Sequence, residues 1–82
     1  MKDLLRVTRE TAGGQTMLYL YYQEVVKSER TIVLAESVMV DVDVAGETIG
    51  VELLTPGRRE LELLTEVARD RDLSPDGLFS FA

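Results

Sequence analysis

From Leu5 to Leu54 apolar and polar residues alternate in short runs, and beyond Pro56 the period lengthens. Alternation at period two puts successive side chains on opposite faces and marks a half-buried strand. It is present where Leu5 and Val7 stand against Arg6 and Thr8, and again in MLYLYYQ (17–23), which is also aromatic. The two glycines of TAGGQ (11–15) separate these runs as a turn, because glycine adopts positive φ cheaply. VVKSER (25–30) is a more polar connection, in which Val25 and Val26 extend the second strand. TIVLA (31–35) is apolar after its first residue, the pattern of a strand covered on both faces. VMVDVDV (38–44) and TIGVELL (48–54) then return to strict alternation.

Past Leu54 the grammar is helical. Thr55-Pro56 offers a hydroxyl cap followed by proline at the first helical position. In RRELELLTEVARDRDL (58–73), Leu61, Leu64, Val67 and Ala68 recur on one stripe with Leu63 beside it. Glu62, Glu66, Arg69 and Asp70 form the charged outer face, and Ser74-Pro75-Asp76-Gly77 is the stop. The pattern predicts a single small α+β domain over residues 1–82. It would hold an antiparallel β-meander of about five strands within 3–54. One C-terminal amphipathic helix, at about 58–72, would pack on one face of the sheet. In the C-terminal tail, 74–82, two phenylalanines of LFSFA are costly to leave in water, so docking into a neighbour's groove is expected.

The stretch DVDVAGETIGVE (41–52) carries the most explicit chemistry. Asp41, Asp43, Gly46 and Glu52 fall on the first, third, sixth and twelfth places of a calcium-binding EF-hand loop, and Ala45 alone breaks the pattern. That loop needs a helix on either side to hold its ligands. Here β-branched residues precede it and Pro56-Gly57 follow closely, so a hairpin explains the stretch better. With an even loop, Val42 faces Ile49, Val40 faces Val51 and Val38 faces Leu53, an apolar ribbon for the helix to cover. Asp43 with Thr48, Asp41 with Gly50 and Met39 with Glu52 then share the other side. A three-residue loop with a glycine bulge is the rival, because Asp-x-x-Gly suits a type I turn. It would send Ile49, Val51 and Leu53 to the acidic side. Exposing them would cost about 1.5–3 kcal/mol each. An imperfect turn costs only about 1–2 kcal/mol. The even register is therefore expected.

ERTIVLAESVMVDVDVAGETIGVELL (29–54) resembles the core signature of a small bacterial family called domain of unknown function 2283. Thr31, Val38, Val40, Asp41, Asp43, Gly46, Gly50, Val51, Glu52 and Leu53 stand where that signature places its residues, and Leu18, Tyr19 and Leu20 resemble its Leu-Tyr-Ile strand. Two positions depart from it: Gly13-Gly14-Gln15-Thr16 replaces acidic residues before that strand, and Ala45 stands where Asp is common. The resemblance covers about half the chain. It implies a fold and no mechanism.

Charge and composition remove several functions. Nine Lys and Arg against fifteen Asp and Glu leave a formal charge of −6, unfavourable for a phosphate backbone, so nucleic acid is not an expected partner. There is no cysteine and no histidine, hence no disulfide, no thiolate site, no imidazole base and no His-ligated zinc. No apolar run approaches the length of a membrane span, and MKDLLRVTRE does not have the form of a secretory signal. A cytoplasmic protein is expected. The serines have no histidine partner and no lysine at useful spacing, so no catalytic residue and no cofactor are expected, and the chain is read as a non-enzyme.

Two candidate sites remain, both on the sheet face away from the helix. Asp41 and Asp43, about 6.6 Å apart on one strand, with Glu52 diagonal to Asp41, are the candidate ligands for a divalent cation or a small molecule. A solvated acidic face, or anchors for the turn, is the plainer account of the same residues. Tyr19, Tyr21, Val33 and Met39 make that face semi-apolar, which more often marks a protein interface than a catalyst. The expected role is thus an interaction module forming a homo-oligomer, a dimer or higher. The alternatives are an acidic regulator, antitoxin-like or inhibitory, that binds another protein, and the cation or small-ligand binder at the acidic face.

Overall fold

The computed structural model of the protein describes residues 1–24 and 27–74. The expectations for Val25-Val26 and for the tail LFSFA lie outside the described residues.

Among the described residues five antiparallel strands form one sheet and a single helix follows them, the α+β class that the two periods predict. The strands are β1 (Arg6–Ala12), β2 (Gln15–Tyr21), β3 (Arg30–Ala35), β4 (Val38–Val42) and β5 (Thr48–Leu54), and the helix is α1 (Arg58–Asp70). Their order across the sheet is β1-β2-β5-β4-β3. A β1–β2 hairpin and a β3–β4–β5 meander are thus joined where β2 pairs with β5, Leu20 opposite Val51 and Leu18 opposite Leu53. Between Tyr21 and Arg30 the chain passes from beside β5 to the far edge.

Gly13 and Gly14 close the first hairpin with φ of 58° and 79°. Two successive positive values are what a two-residue primed turn demands, and glycine supplies them without strain. The β4–β5 hairpin keeps the predicted register for most of its length: Val38 faces Leu53, Met39 Glu52, Val40 Val51 and Asp41 Gly50. It departs at the end, where Val42 pairs with Thr48 and Ile49 becomes an extra residue. The tip is a turn in which the Gly46 amide donates to the Asp43 carbonyl, with Gly46 at φ 82°. Both devices weighed for the hairpin are therefore present. The glycine turn would throw the strand out of step, and the bulge at Ile49 restores it, so Val51 and Leu53 still face the core.

Leu18, Leu20, Val38, Val40, Val42, Val51 and Leu53 form the sheet side of the core, and Leu64, Val67 and Ala68 the helix side. Leu61 and Leu63 pack at its margin. α1 lies along β4, tied at its start by the Ser37 hydroxyl donating to Glu60 (2.8 Å) and at its end by Arg71 reaching the Gly46 carbonyl and Thr48 Oγ1. The helix begins later than Thr55 would cap it. Thr55 has φ 45° and its amide is held by the Thr16 carbonyl (2.6 Å), so Gly57 takes the cap position. Glu60 reaches back to accept the Gly57 amide (2.9 Å), one half of a capping box. Beyond Asp70 the chain turns through Asp72 at φ 55°, and the Leu73 amide returns to the Ala68 carbonyl. That is a Schellman closure, which ends the helix before Ser74 and delivers Leu73 into the core. Leu73 there bridges Lys2 in parallel, tying the two ends of the described chain together.

One strand differs from expectation. TIVLA is not covered on both faces: β3 is an edge strand, Val33 is 63% exposed and Leu34 is 47% exposed. A single helix lying along β4 leaves this edge uncovered, and an apolar run reports its composition, not its place in the sheet.

Candidate functional site

The outer sheet face carries Tyr19, Tyr21, Val33, Met39, Asp41 and Glu52, and Asp43 stands just beyond the end of β4 in the hairpin turn. Cross-strand partners assemble the face in rows. One runs Thr8, Tyr19, Glu52, Met39, Val33, and the next runs Arg6, Tyr21, Gly50, Asp41, Thr31. Tyr19, Tyr21 and Met39 are half-buried and Val33 is exposed. The four interface candidates thus share one face and come from three strands, β2, β3 and β4.

Polar pins hold the aromatic part of this face. Tyr19 on β2 donates its hydroxyl to Asp41 Oδ2 on β4 at 2.6 Å, reaching across the intervening β5. The reach is possible because the strand residue beneath the ring is Gly50. A Cβ there would collide with Cε1, Cζ and Oη of Tyr19. Glycine inside a strand often marks such a close approach, and this was the available sequence signal for the ring's seat. Thr31 Oγ1 donates to the other Asp41 oxygen at 2.6 Å, so the carboxylate is shared between two hydroxyls from two strands. Burial, reinforced by the Asp41 hydrogen bond and charge, holds the Tyr19 phenol well above its ordinary value, and it stays a neutral donor.

Tyr21 packs on Tyr19 with ring centroids 4.5 Å apart and planes tilted by 54°. The Arg6 guanidinium lies 3.7 Å from the Tyr21 ring centroid while its Nε bonds Glu24 at 2.7 Å. The stack therefore runs Arg6, Tyr21, Tyr19, Asp41, a cation–π contact at one end and a charge-assisted hydrogen bond at the other. Arg6 and Thr31 were not among the candidate site residues. Arg6 is a strand residue whose spacing carries no sign of stacking, and it joins the site only through the β1–β2 register.

The carboxylates are engaged elsewhere. Asp43 Oδ1 accepts the Ala45 and Glu47 amides, both at 2.9 Å, and its Oδ2 accepts Gln23 Nε2 at 3.1 Å. The Gln23 amide first, and the Glu47 amide next, hold Asp43 below the usual carboxylate range. Asp43 is the anchor of the turn, and Asp41 is the anchor of Tyr19 and Thr31. Among the described residues no group of three or more carboxylates converges as a metal site would require. Nor does any helix among them have the length and apolarity to cross a membrane.

Comparison of the chain with protein-family models, with curated proteins and with solved structures finds no match.

Proposed function

We propose that this protein is a non-enzymatic interaction module that self-associates through its outer sheet face, with Tyr19, Tyr21, Val33 and Met39 as the contact surface. The observation that carries this reading is the asymmetry of the sheet. Among the described residues the one helix packs on the opposite face, and no strand or helix covers this one. Half-buried aromatics and methionine beside an exposed valine have the make-up of an interface centre. The rings are already held by Asp41 and Arg6, so docking would cost little side-chain entropy.

Sedimentation velocity across a concentration series tests this. A dimer or larger species is expected, and a monomer at high micromolar concentration would refute it. Val33→Glu places a charge on the exposed part of the face and is expected to yield monomer. Val44→Glu, at a residue 87% exposed on the β4–β5 hairpin tip, is expected to leave the mass unchanged.

A further inference from the structure

The sheet has two edges, and charge guards only one of them. β1, at one end, carries Arg6 and Glu10 within the strand. Charged side chains on an edge keep foreign strands from pairing with it. β3, at the other end, carries no charge between Arg30 and Glu36, and Val33 and Leu34 are exposed. Val33 stands on the outer face, and Leu34 lines a hollow on the helix side with Val67 and Asp70 of α1. Among the described residues no strand lies beyond β3, so its outward backbone groups are a template for another strand. From this we infer that β3 pairs edge to edge, antiparallel, with β3 of a second copy of the chain, about a two-fold axis at Val33. The contact uses the edge of the strand and does not rest on association through the outer face.

Three observations select a second copy as the occupant. The first is charge. An antiparallel pair centred on Val33 sets Arg30 level with Glu36 of the second copy, and the two-fold axis repeats the match at the other end. Both residues are exposed, and Glu29 falls beyond them, level with Ser37. A register one residue shorter would set Glu29 level with Glu36, a like-charge pair made twice. The second is apolar matching. In the centred register Ile32 lies opposite Leu34 of the second copy. Ile32 pairs with the buried Val40 across β3 and β4, so it too is on the helix side, where the pairing covers a strip that α1 leaves open. The third is closure. The register of β3 against β4 shifts between Val33 and Ala35, a bulge that keeps the regular part of the edge short. A short edge used up by a self-complementary contact, with a charged edge at the far side of each copy, stops the assembly at two.

Sedimentation velocity on the full chain and on charge-reversed variants tests the pairing. Arg30→Glu and Glu36→Arg should each raise the dimer dissociation constant at least about tenfold, since the axis makes each reversal count twice. The double variant, Arg30→Glu with Glu36→Arg, should return it to within about threefold of the unaltered chain. The chain has no cysteine, so an equimolar mixture of Ile32→Cys and Leu34→Cys copies should oxidise mainly to the mixed disulfide. Outer-face contact cannot bring those two positions together, because both lie on the helix side. Val33→Glu would break either contact, so Met39→Lys serves as the face variant and should leave edge pairing intact. A dimer that ignores both single reversals, or that the double variant fails to restore, overturns the edge pairing, and its loss in Met39→Lys then assigns it to the face. A dimer sensitive to the reversals and indifferent to Met39→Lys upholds the edge and overturns the face. A monomer at high micromolar concentration overturns both, and protection of its β3 amides from hydrogen exchange would give the edge to another segment of the same chain.

Discussion

The two faces of this sheet are held by different physics. Toward α1 the side chains are, Tyr22 apart, aliphatic and almost wholly removed from water, and their contribution comes from area and close packing. Away from α1 the face is half-exposed, and its order comes from few, directed contacts: Tyr19 to Asp41, Thr31 to Asp41, Arg6 over Tyr21. The first face depends on volume throughout. The second depends on particular atoms and on the space that Gly50 leaves for the Tyr19 ring.

Breaking the covered face should have the largest effect. Leu64 is the fully buried anchor of α1, and Leu64→Ala should lower unfolding stability by about 2–5 kcal/mol in urea titrations. A loss below about 1 kcal/mol would mean that the helix contributes little to the core. On the outer face the greatest sensitivity should be at a residue with no side chain. Gly50→Ala drives a methyl into the Tyr19 ring, and the expected cost is about 1–3 kcal/mol. Tyr19→Ala should relieve most of that cost, so the two substitutions should be strongly non-additive. Additivity would show that the ring does not sit over Gly50. Removing only the hydroxyl, Tyr19→Phe, should cost about 1 kcal/mol through the lost bond to a carboxylate at a half-exposed site.

Tyr22 sharpens the contrast with the opposite sign. It lies on the covered side, and its buried hydroxyl has no hydrogen-bond partner among the described residues. Tyr22→Phe should therefore leave stability equal or raise it by up to about 1 kcal/mol, and a loss larger than that would reveal a partner. The same group makes the fold sensitive to alkali. Burial pushes the Tyr22 phenol up to about 12, above its unfolded value near 10. Its contribution is complete below about pH 10. Above that the unfolded chain ionises first, and the contribution is lost as pH rises through the folded value. Stability measured across that window should fall less steeply in Tyr22→Phe, although Tyr19, also raised, keeps part of the slope. The smallest effect belongs to Val33→Ser, exposed on the outer face, which should leave monomer stability within about 0.5 kcal/mol.

Much of this was readable from period alone. Alternation in 38–44 and 48–54 set most of the β4–β5 register, because slipping one residue would expose Val51 and Leu53. The stripe Leu64, Val67, Ala68 likewise identified the buried side of α1. Composition misled at TIVLA, where apolar content says nothing about edge or centre. It misled again at Thr55, where a hydroxyl suited to a cap is held instead in a left-handed turn by Thr16. The acidic spacing of Asp41, Asp43 and Glu52, so like a calcium loop, follows from a two-residue period around a glycine turn.

Sequence by itself determined which residues face inward, because hydrophobic burial is a property of each side chain and its neighbours at period two or 3.6. It also placed Tyr19, Tyr21, Val33 and Met39 on one face. Only the tertiary structure decided that β2 lies against β5, since strand neighbours distant in the chain are chosen by the closing of the whole sheet. That single adjacency sets Gly50 between Tyr19 and Asp41, and a contact spanning three strands cannot be seen from any local pattern.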